Sequence, residues 1–124
     1  MERTLEVPGI YEYIENKLYC TMCLSKAVSF AELKAMFGES VLYHALMKAK
    51  HTELEKEVNI FVKNGVYYHN AHEAKDDLAI YKPLYDNNGP WAKPVELFLA
   101  EVDHKMYPNV KQRYMYTLVG GLYY

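Results

Sequence analysis

The chain reads as a single α+β domain spanning residues 1–124, mostly antiparallel β in a small barrel or curled sheet, with one or two short helices. Three observations lead there. Thirteen tyrosines recur in adjacent or alternating positions, as in Tyr11/Tyr13 and Tyr114/Tyr116, and alternation places two rings on one face of a strand. An Asn64-Gly65 dipeptide sits between two apolar, alternating runs, the signal for a two-residue hairpin turn. Only one stretch carries a full set of helix start and stop signals. A chain of 124 residues supports one core, and 51% hydrophobic with 24% charged residues excludes wholesale disorder.

Taken in order, "GIYEYIENKLYCTMCL" (residues 9–24) predicts a hairpin. Pro8-Gly9 marks its start, and aromatic and β-branched residues flank the polar turn "ENK". Ile10, Ile14 and Leu18 stand four apart, as a helix would require, but the tyrosine content favours strands. "VSFAELKAMFGES" predicts the helix: Ser29 and Glu32 form a capping box, Val28 and Leu33 a hydrophobic staple, and Gly38 the stop. Residues 41–50, "VLYHALMKAK", fit helix or strand, with propensity on the helical side. "EVNIFVKNGVYYHN" predicts a hairpin with a type I′ turn. Residues 71–80 give no clear period. "KPVELFLAEVDHKM" opens with Pro94 and fits a short helix or a strand, and "QRYMYTLV" closes the chain as a strand.

Charge and hydropathy narrow the function classes. Fourteen basic against sixteen acidic residues give a net charge of −2, so no general attraction to nucleic acid or anionic membrane is expected. The start, "MERTLEVPGIYEY", has no apolar core of a secretory signal, and no run approaches the ~20 apolar residues of a membrane span. The cytoplasm is the expected location. Helices over 29–37 and 41–49 followed by the Asn-Gly hairpin would make a winged-helix-like nucleic-acid-binding protein. Its second helix would present Tyr43, His44, Lys48 and Lys50, a face without arginine, the usual reader of guanine edges.

The single tryptophan lies in "YKPLYDNNGPWAKPVELFLAEVD", between Pro90 and Pro94. The pattern Tyr81, Leu84, Tyr85, Gly89, Trp91, Lys93, Pro94, Glu96, Phe98 resembles the DUF1653 family of small bacterial and phage domains. "AKHTELEKEVNIF", carried by Ala49, His51, Thr52 and Glu53, and the opening "GIYEYIENKLY" are similar to two further stretches of that family. The three pieces cover about half the chain. The family usually has Arg where Lys93 stands, and here residues 25–40 and 62–77 are inserted. The resemblance implies a compact, mostly β fold with little helix, a strand rather than a recognition helix over "LYHALMKAK", and no established activity.

Two spacings suggest metal or proton chemistry. Cys20-x-x-Cys23 and His69-x-x-His72 could hold zinc. "CTMC" lacks a knuckle-shaping Gly or Pro, however, and on a regular strand Cys20 and Cys23 point to opposite faces, so no metal and no cofactor is expected. His51, His72 and His104 lie beside Glu53, Glu73 and Asp103, yet no nucleophile motif or phosphate loop accompanies them. The expected function is therefore a non-enzymatic binding module for a nucleotide-like or other small anionic ligand. In a phage-borne gene it would be a sequestering or inhibitory protein, and its tyrosine-rich surface suits a homo-oligomer. Trp91, Lys93, Tyr85, Tyr81, His51 and Glu53 are the expected ligand-binding residues, combining stacking faces with a cation. The alternatives are the winged-helix protein and a small hydrolase or transferase using His51 and Glu53.

Overall fold

A computed structural model describes residues 3–121. Eight strands and two helices follow one another as β1 (Gly9–Tyr13), β2 (Leu18–Val28), α1 (Phe30–Phe37), β3 (Met47–His51), β4 (Glu57–Lys63), β5 (Val66–Asn70), β6 (Leu78–Pro83), β7 (Trp91–Pro94), α2 (Val95–Phe98) and β8 (Tyr116–Gly121). The strands lie in the order β5-β4-β3-β7-β6-β2-β1-β8, and β5 also pairs with β2, which closes six of them into a barrel. Among the described residues no helix is long and apolar enough to cross a membrane.

The 11-residue strand β2 makes this closure possible. Its first half pairs with β1, Gly9 facing Thr21 through Glu12 facing Leu18. Its second half leaves β1 and pairs in parallel with β5, Ser25 facing Tyr67 through Val28 facing Asn70. β6 runs antiparallel along the other edge of β2, with a bulge between Thr21 and Cys23. One strand thus belongs to both the barrel and the outer layer formed with β1 and β8.

Strand alternation sorts side chains into separate cores. Inward residues of β2, β3, β4, β6 and β7 (Cys23, Ala49, Val58, Ile60, Leu78, Ile80 and Ala92) fill the barrel. The outward residues Ala79 and Tyr81 of β6 meet Tyr11, Phe98 and Tyr116 in a second core, against which Trp91 packs. Under α1, Leu33 and Val41 cover the outer side of β4 at Phe61. The α1 signals act as their chemistry dictates. Ser29 Oγ accepts from the Glu32 amide at 3.1 Å, and Gly38 ends the helix at φ +85°. Val28 and Leu33 pack in the same cluster, as a staple does. At the β4–β5 turn Asn64 and Gly65 take φ of +53° and +78°, the two positive values a type I′ turn needs.

Segments left open by the sequence are settled here, the strand implied over "LYHALMKAK" is present as β3, and some expectations are corrected. Residues 41–49 are not a recognition helix: Val41–His44 make a 3₁₀ turn, and β3 begins at Met47. The physical reason is burial with period two, since Ala49 and His51 are buried while Lys48 and Lys50 are exposed, and tertiary packing overrides helix propensity. The winged-helix arrangement therefore does not form. Residues 71–80 contain the start of β6, whose uniform run Leu78–Tyr81 is buried on both faces and so shows no alternation. The "VELF" segment makes a single helical turn directly after β7. The regular ladder of the last strand begins only at Tyr116, with Tyr114 forming a lone bridge to Glu101. Finally, the bulge in β2 brings Cys20 opposite Lys82 and Cys23 opposite Ile80, so the two cysteines share a face rather than opposing each other.

Candidate functional site

At one end of the barrel, the turn after β3, the loop before β6 and helix α2 enclose a recess of about 490 Å³. His51, Leu54, Ala74, Pro94 and Leu97 supply much of its lining, and Glu53, Glu73, Asp76, Lys56 and Lys75 its charge. His51 is buried as the last residue of β3, where its inward position directs it toward the barrel interior. Its Nδ1 accepts two backbone N–H bonds, from Glu53 at 3.1 Å and Leu54 at 3.0 Å. An Nδ1 used as a double acceptor places the ring proton on Nε2. Among the described residues no side chain or carbonyl accepts from Nε2 and no buried side-chain nitrogen lacks a partner, so Nε2 is open to solvent, and His51 is one of the residues lining the recess. Burial holds the His51 pKa below its ordinary value, with Glu53 opposing that effect. The lining of the recess therefore includes a neutral imidazole N–H donor beside apolar walls.

Deeper in the barrel lies a polar pair that sequence spacing hides. Ser25 Oγ sits 2.7 Å from His69 Nδ1, and His69 Nε2 lies 2.9 Å from the Ala74 carbonyl oxygen. Since a carbonyl only accepts, Nε2 donates to it, and Ser25 then donates to Nδ1. Both side chains are fully buried. The distance is that of a nucleophile and its base, but no substrate reaches it, and the pair instead fixes the loop at Ala74 that forms one wall of the recess. Burial also lowers the His69 pKa. Stability should accordingly fall as the pH drops from about 6.5 toward the depressed folded values, because there only the unfolded chain takes up protons at His51 and His69. Urea midpoints at pH 7.5 and 5.5 would check this, with the lower midpoint expected at pH 5.5.

The six residues expected at the site separate into groups. His51 and Glu53 line the recess together. Lys93, only 18% exposed at its side chain, pairs with Glu53 at 3.3 Å and lines neither this recess nor the Tyr85 one. Glu53 also accepts from the Thr52 hydroxyl, which together with Lys93 holds its carboxyl below the usual range. Tyr81 is buried in the second core, where desolvation pushes its hydroxyl up to about 12, so its ring offers no stacking face. Trp91 packs on that same core, with the Lys50 ammonium 6.0 Å from its ring. Tyr85 is exposed, its hydroxyl 3.1 Å from that of Tyr19, and lines a separate recess with Asn16, Lys17, Leu18 and Leu84. The expected Trp91–Lys93–Tyr85 surface is thus divided between an ion pair, a core and a second recess.

The proton-transfer reading of His51 and Glu53 meets a geometric obstacle. The imidazole nitrogen that could accept a proton is occupied by backbone amides, and the carboxylate is committed to Lys93 and Thr52. For the Cys and His pairs, Cys23 lies in the barrel core with its thiol pushed up to about 12 by burial, and both nitrogens of His69 are engaged. Among the described residues no three His, Cys, Asp or Glu side chains gather as a metal would need.

Sequence reasoning missed Ser25, His69, Leu54 and Leu97 as parts of this region. Ser25 and His69 are joined only by the parallel β2–β5 pairing, which no local pattern announces. No family model, curated protein or solved structure matches the chain, and the resemblance to DUF1653 domains rests on the three stretches quoted above.

Proposed function

We propose that the protein is a non-catalytic binding module whose ligand enters the recess at the barrel end and accepts a hydrogen bond from His51 Nε2–H. One observation carries this reading: a buried imidazole in the lining of a mostly apolar recess, whose Nδ1 is tied to two backbone amides and whose remaining N–H has no acceptor among the described residues. The arrangement is suited to orienting a ligand, since an apolar pocket with few placed polar groups is the general form of a binding site. It is poorly suited to proton abstraction, because the free nitrogen already carries its proton. With Glu53 paired to Lys93, the remaining charges around the recess, Glu73 and Asp76 against Lys56 and Lys75, balance, which favours a neutral ligand over the anionic one expected from the sequence. The two free cysteines suit a reducing compartment such as the cytosol.

The test is ligand-observed NMR with a fragment library of uncharged ring compounds, each bearing one carbonyl acceptor. Hits should compete for one site and lose about 5–10-fold in affinity in His51→Phe, the worth of one neutral hydrogen bond of ~1 kcal/mol. Leu97→Lys, at an exposed rim position, should weaken them without lowering the melting temperature. Hits that bind both variants as tightly as the parent would remove the recess from the account.

A further inference from the structure

The recess at the barrel end does not stop at Glu73. A second recess of about 190 Å³ lies between α1 and the outer side of β4–β5, lined by Phe30, Leu33, Leu42, Asn59, Phe61 and Asn70, and Glu73 lines it as well. The two recesses therefore adjoin across one carboxylate. Each is flanked by large apolar side chains left open to solvent: Leu54 at 51% and Leu97 at 45% on one side, Phe30 at 45% and Leu42 at 68% on the other. Isolated exposed apolar residues need no explanation, but four that line two adjoining hollows do. Glu73 is held only loosely between them, accepting from the Asn59 amide at 3.3 Å and from Asn59 Nδ2 at 3.4 Å.

Resting on the reading of His51 as a ligand donor, we propose that the two recesses form one groove for an extended peptide segment, with apolar side chains on either side of a lysine or arginine. The apolar anchors enter the two hollows, and the basic side chain lies over Glu73. An extended chain alternates its side chains and exposes backbone carbonyls between them, which supplies the acceptor that His51 Nε2–H lacks. Charge complementarity selects the central residue, because the shared carboxylate has no lysine or arginine partner among the described ion pairs. An acyl chain fits less well, since its methylenes would cover Glu73 and strip it of water without replacing the lost hydrogen bonds.

The experiment is selection of a random peptide display library on the intact protein, followed by fluorescence anisotropy with the synthetic consensus peptide. The expected consensus places apolar residues on both sides of a lysine or arginine. Leu42→Asp and Leu97→Asp, both at exposed positions, should each weaken the peptide at least tenfold while leaving thermal unfolding unchanged. Glu73→Lys should weaken it by as much, with some loss of stability because an ammonium cannot accept from the Asn59 amide, and exchanging the peptide's basic residue for glutamate should restore binding to that variant. Glu73→Gln, which can still accept from Asn59, should weaken binding without disturbing the fold. No enriched consensus, an acidic consensus, or failure of the charge exchange would overturn the proposal. So would a loss with Leu97→Asp and none with Leu42→Asp, although the barrel-end site would then still stand. A dimer that Leu42→Asp dissociates would assign the groove to a second copy of the chain and likewise overturn it.

Discussion

Phe98→Ala is expected to lower stability by about 3–5 kcal/mol, the range for emptying a fully buried aromatic site. Phe98 is the hub of the second core: its ring stacks on Tyr116 at 4.1 Å and 13°, and meets Tyr11 at 5.1 Å and Tyr81 at 5.2 Å edge to face. Three aromatic pairs disappear together, and rigid strands on two sides prevent the cavity from collapsing. Against a total stability of about 5–15 kcal/mol for a domain of this kind, the loss is large. Thermal unfolding should shift down by about 10–20 °C. A shift of a degree or two would mean that the outer layer formed by β1, β8 and α2 contributes little to the folded state.

His69→Ala should cost about 3 kcal/mol by a different route. It leaves the Ser25 hydroxyl and the Ala74 carbonyl without partners in the barrel and opens a void where the ring stood. Ser25→Ala alone should cost about 1–2 kcal/mol, since it removes the donor to Nδ1 but leaves the His69–Ala74 bond in place. Because each loss includes the same broken contact, the double variant should be less destabilised than the two singles added together, by about 1 kcal/mol. Strict additivity in urea unfolding would show that the pair is not coupled. His69→Ala should also reduce the loss of stability between pH 7.5 and 5.5, as one of the two depressed histidines is then gone.

What could be read from the chain was what neighbouring residues decide. Ser29 and Glu32 sit three apart, and Asn64 and Gly65 adjoin, so their geometry follows from the local backbone alone. The first hairpin likewise needs only its own turn, where the Tyr13 amide reaches the Lys17 carbonyl at 2.8 Å. The mostly β class followed from the tyrosines for the same reason. The rest is long-range. β6 was invisible because burial on both faces erases the alternation that marks a strand, and β3 was ambiguous because its Ala, Met and Lys favour a helix until the barrel claims Ala49 and His51. For the site, His51 and Glu53 were legible as neighbours in sequence. Whether Lys93 would meet a ligand or Glu53 depended on the β3–β7 register, which pairs His51 with Ala92.

That β2 belongs to two layers also bears on how the chain reaches this state. Hairpins such as β1–β2 and β4–β5 close short loops and can form on the microsecond scale. Sealing the ring is different: residues 25–28 must align in parallel with residues 67–70, across the whole of α1, β3 and β4. Such a pairing yields nothing until a long loop has been ordered, so it forms the entropic summit of the route rather than its beginning. The same step buries Ser25 against His69 and sets the wall at Ala74. The recess at the barrel end therefore takes its final shape only as the ring seals, and a chain arrested before that moment would hold most of its hairpins without a finished barrel end.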